Sequence, residues 1–532
     1  MASPFQMHGQ QLLGPDCSAD GPATVTATNP GTGETLAPAF HEATPDEIDR
    51  ALQLADEAVD QLREKSPEEI AAFLDAIGDE IMGLEDALLD RCHAETGLPM
   101  GRLQMERGRT VNQAKLFATV VREGSWVDAR VDHGDPTREP MPKPDVRRML
   151  MPVGPVVVFG ASNFPLALST AGSDTVSAIA AGCSVVMKAH GSHPGTSELI
   201  GRAIIAAAEK TNMPKGVFSL LHGGGRTVGT ALVKHPLTQA VGFTGSLSGG
   251  RALYDVAAAR PDPIPVYAEM GSINPLFLLP SALESRGATI AEGFLTSMTL
   301  GVGQFCTQPG LVVGLASDPL EAFVAKTSEL VAAHPAQTML NAGIRDTYDA
   351  GCQQHASTSG VATSARSEQA AEAMKTEAAA VLFRTDGASF LQAESLSEEI
   401  FGPTSMVVAC DSPEQLEQIA RGLVGHLTAT IHGEPDDLAE HQRLVRILER
   451  KVGRLIFNGF PTGIEVCAAM HHGGPYPATT DAGGTSIGTA AILRFTRPIC
   501  YQGFPEAALP PALQDTNPAK LWRLVDNKTT NS

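Results

Sequence analysis

Long apolar runs are absent from this chain of 532 residues. Segments such as 153–159 fall far short of the roughly 20 apolar residues that span a bilayer. No basic n-region followed by an apolar core opens the sequence between Met1 and Cys17, so no secretory leader is expected. Basic charge is in deficit: 39 Lys and Arg stand against 60 Asp and Glu, a formal charge of −21. Nucleic acid and membrane, which call for basic or long apolar surface, are therefore not expected as partners. A few local arginines would still hold a small carboxylate. Paired cysteines are missing too. Eight are scattered at positions 17, 92, 183, 306, 352, 410, 467 and 500, with no CxxC spacing. That usage fits a reducing compartment without a disulfide framework, and the cytoplasm is the expected location. No short repeat divides the chain. Its length implies two large domains, or one interrupted by the other.

What is present begins with helix signals. Thr44-Pro45-Asp46-Glu47 spells a capping box with proline at the first helical position, and Ser66-Pro67-Glu68-Glu69 repeats it. Ile48, Leu52, Ala55, Val59 and Leu62 form one buried face behind the first box, and Ile70, Phe73, Ile77, Ile81 and Leu84 behind the second. A third helix is expected over 102–121, and the Pro, Asp, Gly and Arg-rich stretch 128–144 reads as an exposed connection. Beyond it, short apolar runs at 156–159, 184–187, 217–220 and 240–243 alternate with segments of helical length. Such alternation predicts a parallel sheet covered on both faces, the dinucleotide-binding α/β architecture. A second α/β unit is expected from Gly271, with a strand at 275–279. Residues 491–495 read as a strand, and the tail from Gln502 as a surface wrap or a disordered end.

Five segments carry chemistry. They are Gly160-Ala161-Ser162-Asn163-Phe164-Pro165, Phe243-Thr244-Gly245-Ser246, Ala268-Glu269-Met270-Gly271, Gly303-Gln304-Phe305-Cys306 and Glu399-Ile400-Phe401-Gly402-Pro403. In this order and spacing the sequence resembles the aldehyde dehydrogenase superfamily over roughly Val25 to Tyr501. Ser162-Asn163-Phe164-Pro165 and Lys188-Ala189-His190 are most similar to its NADP-preferring branch, which includes bacterial α-ketoglutarate semialdehyde dehydrogenases and a fatty aldehyde dehydrogenase. The resemblance implies roles. Cys306 matches the thiol nucleophile that makes an aldehyde tetrahedral and then carries the thioester. Asn163 and the Cys306 amide match the oxyanion donors, and Glu269 the general base. Lys188 matches the lysine at the adenosine ribose, and Glu399, beside Phe401, the carboxylate at the nicotinamide ribose. Glu398 is expected to be solvated. Gly223-Gly224-Gly225-Arg226-Thr227-Val228-Gly229 opens a helix after a strand, where backbone amides face phosphate; Gly225, Gly229, Arg226 and Ser246 are its cofactor candidates.

The sequence departs from the family in places. Gly191 stands where a glutamate three residues past the lysine is common, Met270-Gly271-Ser272 replaces the usual Leu-Gly-Gly, and His471-His472-Gly473-Gly474 replaces a glycine-rich stretch. The paired histidines are expected to serve structure or the substrate pocket; no metal site is predicted. Arg109 and Gln113, four apart on one helix face, are candidates with Phe164 for the substrate, the competing reading being a surface ion pair of Arg109 with Glu106.

The expected fold is α/β of the aldehyde dehydrogenase type. A Rossmann-type cofactor domain covers 25–140 and 152–270, a catalytic domain 271–474, and a small β bridging element 141–151 and 487–501. The resemblance implies a homodimer or homotetramer. The expected reaction is oxidation of a small aldehyde to an acid, 2,5-dioxopentanoate to 2-oxoglutarate, with NADP preferred and NAD the alternative. Fatty or other aliphatic aldehydes are the rival substrates. A phosphorylating or acyl-coenzyme A-forming relative would lack the Glu269-type base. A non-catalytic structural relative would have lost the thiol, the base or the oxyanion donor.

Overall fold

The computed structural model describes residues 6–532, so the first five residues of the stretch examined for a leader lie outside the described residues. Both capping boxes close. Thr44 Oγ1 accepts from the Glu47 amide at 3.2 Å while Glu47 Oε2 accepts from the Thr44 amide at 2.8 Å, and Ser66 and Glu69 repeat the exchange. They start the helices Pro45–Arg63 and Pro67–Gly83. Two more helices follow, Glu85–Thr96 and Met100–Glu123, the last a turn or so longer than the periodic pattern indicated. Among the described residues no helix is long and apolar enough to cross a membrane.

The first sheet has seven strands in the order Val266–Glu269, Ala240–Thr244, Val156–Phe159, Val185–Lys188, Phe218–Leu221, Gln11–Leu13 and Asp16–Ser18. The first five are parallel, and apolar clusters cover both faces, which is why these strands read as continuous apolar runs rather than alternating ones. The last two form a hairpin that adds antiparallel to Phe218–Leu221. This sheet therefore takes in residues well before Val25. Among the parallel strands the order reverses at Val156–Phe159, and open α/β sheets bind their ligands at such a switch point, outside the carboxyl ends of the strands.

The second sheet also has seven strands: Ala362–Arg366, Val381–Asp386, Thr404–Cys410, Leu311–Leu315, Leu276–Leu278, His426–His432 and Val452–Phe457. Only the pairing of the first with the second is antiparallel. The third sheet joins Thr496–Gln502, Val146–Pro152, Arg130–Asp132, Arg523–Val525 and Lys528–Thr530. It gathers the bridging strand, part of the stretch read as an exposed connection, and the tail. The segment read as a strand at 491–495 lies in a 3-10 helix, Thr489–Phe495, and the strand begins where it ends. Ala491, Ile492 and Phe495 point into the first sheet's core, a burial that an apolar run in sequence shows without showing its backbone form.

Candidate active site

The carboxyl ends of the first sheet's strands deliver Asn163 just beyond Val156–Phe159, Lys188 and Glu269 as last residues of their strands, and Ser246 just beyond Ala240–Thr244. The second sheet offers its amino ends to the same place: Cys306 precedes Leu311–Leu315, and Glu399 and Phe401 precede Thr404–Cys410. Asn163 Nδ2 donates to the Gln304 carbonyl at 2.9 Å, two residues before Cys306, and ties the two halves together. The amide carries a second N–H available to a substrate oxygen. Gly303, with φ +65°, leads into the cysteine turn; a Cβ there would lie 2.2 Å from the Gly402 carbonyl, so the turn rests directly on the loop that carries Glu399.

At the centre stands a residue to which the sequence reading gave no chemical role. His472 is fully buried, and its Nε2 lies 3.5 Å from Cys306 Sγ and 2.9 Å from Glu269 Oε1. The Ser486 hydroxyl donates to the other Glu269 oxygen, and the His472 backbone N–H donates to Thr485 Oγ1 at 2.8 Å. The paired histidines are expected from sequence to serve structure or the substrate pocket, as side chains that alternate between the two faces of a strand would. They occupy an irregular segment instead, which carries His472 to partners 166 and 203 residues away. The available signal was the departure itself: two titratable rings where the family has glycines. Burial, with the Glu269 carboxylate beside it, pushes the Cys306 thiol well above its ordinary range, and Arg109 offsets this in part. Burial would also raise Glu269, but the His472 charge and hydrogen bond, with the Ser486 and Cys306 contacts, outweigh it and hold this carboxyl below its ordinary value. The resting pair is thus a protonated thiol beside an ionised carboxylate, bridged by one imidazole nitrogen. Glu269 and His472 also line a cavity of about 20 Å³, with Thr479, Asp481, Thr485 and Ser486 among others.

The residue before the thiol, Phe305, belongs to an apolar cluster with Phe164, Leu168 and Ile487, its ring edge to face with that of Phe164 at 5.0 Å. Glu106 forms no surface pair with Arg109. It is buried, accepts from the Leu166 and Ala167 amides at 2.9 and 3.1 Å, and stands 3.7 Å from Arg102. Arg109 lies over the Phe164 ring at 5.6 Å, and its Nε and one terminal nitrogen are buried without a hydrogen-bond partner. Burial lowers its guanidinium, while Glu106, Cys306 and Glu269 act on it in the other direction. Gln113 turns into the core toward the Ala167 carbonyl at 3.5 Å. Arg454, on Val452–Phe457, is a second cation that the sequence did not single out. Two of its nitrogens hold the Gly463 and Pro461 carbonyls, its Nε is buried without a partner among the described residues, and burial lowers its guanidinium, against the raising effect of Cys306 when ionised.

The dinucleotide candidates line the first sheet's carboxyl edge. Lys188 is buried, which lowers its ammonium to about 8 against the opposing effect of Glu42. A Cβ at Gly191 or Gly225 would meet nothing within 4 Å, so open space adjoins both, as a ribose and a phosphate require. Gly223–Gly229 makes one π turn, Gly225–Gly229, before a short helix; Arg226 is exposed on it, and Gly229 packs on Phe159. Ser246 caps the helix Leu247–Ala258 by accepting from the Gly249 amide at 3.2 Å. Glu399 reaches over Gly271, where a Cβ would stand 2.3 Å from its Oε2. It is open to solvent, yet the protein mass ringing it raises its carboxyl to about 7, against the Ser272 amide. Phe401 is half-buried on the same loop.

A thiol, an amide donor and a carboxylate meet between a parallel sheet with a switch point and a second α/β sheet, the arrangement that a thiol-dependent dehydrogenase requires. The family model for the aldehyde dehydrogenase family matches residues 17–476, and the chain belongs to that family. It is 51% identical over 527 residues to alpha-ketoglutaric semialdehyde dehydrogenase 2 of Azospirillum brasilense, covering 98% of this chain and 100% of the relative. It is 44% identical to alpha-ketoglutaric semialdehyde dehydrogenase of Acinetobacter baylyi, over 99% of each chain. Among solved structures it is similar to betaine aldehyde dehydrogenase of Staphylococcus aureus in complex with NAD+, with TM-score 0.80, 19% identity and coverage of 94% and 96%. An aldehyde dehydrogenase of Pseudomonas syringae with NAD+ and octanal superposes with TM-score 0.79 at 20% identity, covering 94% and 98%. The fold is the one the five motifs implied.

Proposed function

We propose that this enzyme oxidises 2,5-dioxopentanoate, the semialdehyde of 2-oxoglutarate, to 2-oxoglutarate. The carrying observation is the pair of arginines at the thiol. Among the described residues Arg109 and Arg454 both hold buried N–H groups without partners, and an ionised Cys306 would act on both. An unpartnered buried donor is costly, and a carboxylate entering beside Cys306 relieves that cost at both residues. Near-full-length similarity to two alpha-ketoglutaric semialdehyde dehydrogenases supports the same substrate.

The chain's own groups account for the chemistry. The thiol proton passes to the Glu269 carboxylate, which His472 Nε2–H and the Ser486 hydroxyl hold in place, and leaves from there to solvent as Sγ bonds to the aldehyde carbon. Asn163 Nδ2 and the Cys306 amide receive the oxyanion. A bound dinucleotide supplies the hydride acceptor that turns the thiohemiacetal into a thioester. Glu269 then takes a proton from water, hydroxide attacks the thioester, and the thiolate leaves. The 20 Å³ cavity has room for a single water and gives protons an exit past Thr479 and Asp481.

For the coenzyme we propose NADP, held by Lys188 and Arg226 with Gly225, Gly229 and Ser246 at the phosphates and Glu399 and Phe401 at the nicotinamide ribose. The gap at Gly191 removes the carboxylate that would repel a 2′-phosphate. A specific observation favours NAD as the second reading: Glu42 acts on Lys188 and accepts from the Gly224 amide at 3.1 Å, so a different element brings a carboxylate to this neighbourhood. Arg109→Leu and Arg454→Leu test the substrate. Each should raise KM for 2,5-dioxopentanoate by on the order of tenfold or more, since charge-assisted bonds contribute roughly 1.5–3 kcal/mol, and leave decanal nearly unaffected. A wild-type kcat/KM far higher for decanal than for the dioxo acid would overturn the assignment.

A further inference from the structure

We infer that Glu269, Cys306 and His472 form a three-ligand site for a zinc ion, which reversibly stops the enzyme. One carboxylate oxygen, the sulfur and one imidazole nitrogen all lie within 4.8 Å of one another, and no other such group of three occurs among the described residues. The spacing fits a particular ion. Zinc binds thiolate sulfur at about 2.3 Å and imidazole nitrogen at about 2.0–2.1 Å, so two such ligands at a tetrahedral angle stand about 3.5 Å apart. Cys306 Sγ and His472 Nε2 are 3.5 Å apart. The His472 to Glu269 separation of 2.9 Å is that of a direct hydrogen bond. Two ligands about 2.0–2.2 Å from zinc would stand roughly 3.4 Å apart, so the ion enters by replacing this bond with a widening of about half an ångström.

The donor set selects among metals. A thiolate and an imidazole with one carboxylate suit zinc or cobalt, whereas calcium and magnesium require mostly oxygen ligands. Charge also closes: thiolate and carboxylate together balance a divalent ion, and the thiol proton leaves to solvent as the Zn–S bond forms. The outer contacts already exist. Ser486 anchors the second Glu269 oxygen and Thr485 anchors the His472 backbone. His472 Nδ1 has no protein partner and its ring lines the 20 Å³ polar cavity, where a water would accept its N–H. Arg109, whose charge reaches both Cys306 and Glu269, opposes the ion and keeps the site weaker than a structural one. Three protein ligands leave one tetrahedral position open, the arrangement of exchangeable rather than locked zinc. Because the ion holds the nucleophile and the base together, occupancy and turnover exclude each other.

The test is metal binding to the reduced full-length enzyme without aldehyde. Zinc is titrated against a chromophoric chelator, and cobalt(II) is added separately as a spectroscopic probe. One zinc per chain is expected, with a thiolate-to-cobalt charge-transfer band and dehydrogenase activity that falls with zinc and returns with chelator. His472→Asn and, independently, Glu269→Gln should each weaken zinc by more than the roughly 10- to 100-fold that loss of an outer partner costs. Coenzyme titration verifies that both variants are folded. No stoichiometric zinc at micromolar concentration overturns the site, and so does wild-type affinity in both variants, which would mean a lone thiol or a surface group. Since no aldehyde enters the binding experiment, its failure leaves the substrate proposal standing.

Discussion

Arg226 stands exposed on the turn after Phe218–Leu221, beside the open space at Gly225 and two residues past the Gly224 amide that Glu42 accepts from. If it reads a 2′-phosphate, Arg226→Ala raises KM for NADP by on the order of ten- to a hundredfold and barely moves that for NAD; Glu42→Gln shifts the ratio the other way. Steady-state kinetics with both coenzymes checks this, and equal losses with NAD and NADP would remove Arg226 from coenzyme selection. At this scale the sequence was readable where a role is carried by a short contiguous motif. Cys306, Glu269 and Asn163 each sit in such a segment, and the geometry brings all three together. Arg454 was not readable, because nothing local marks an arginine on an edge strand as facing a thiol nearly 150 residues earlier.

At the scale of elements, the strands of the first sheet were legible as apolar runs because both of their faces are covered. The hairpin Gln11–Ser18 was not, since each strand has only three residues and its partner lies some 200 residues on. The segment around His472 is the more consequential case. Without regular structure it has no period to read, and its position is set by Thr485 and Ser486 through hydrogen bonds that no pattern announces. His472→Asn should lower kcat at neutral pH, because it removes the partner that holds the Glu269 base ionised and oriented. The sign of the pH effect follows from the carboxylate. The His472 charge and hydrogen bond hold Glu269 below its ordinary value, so without them it ionises later and the rate limb moves to higher pH. A pre-steady-state pH profile that keeps its wild-type position would refute this role.

For the whole molecule, two sheets end in strands with an unpaired edge among the described residues. Thr496–Gln502, with no residue fully buried, ends the third sheet, and Val452–Phe457 ends the second. Beside that second edge lies an apolar groove of about 460 Å³ lined by Ile431, Leu438, Val445, Leu455 and Phe457, the last two 36% and 40% exposed. An uncovered edge with apolar flanks invites a further strand. We propose that the bridging strand of a second copy occupies it, giving the homodimer or a tetramer built from it. Phe457→Asp should then release monomers in sedimentation velocity; an unchanged sedimentation coefficient would place the interface elsewhere.

The missing side chain at Gly303 has a consequence for anyone reshaping this enzyme. With the cysteine turn laid on the Gly402 carbonyl, the loop that presents the sulfur and the loop that presents Glu399 share one wall. A mutational library that randomises either loop alone will mostly sample sequences in which the other no longer fits. On the roles proposed for Cys306 and Glu399, new aldehyde scope and new coenzyme grip are coupled traits here, and variants should be selected with both loops diversified together and Gly303 and Gly402 kept constant.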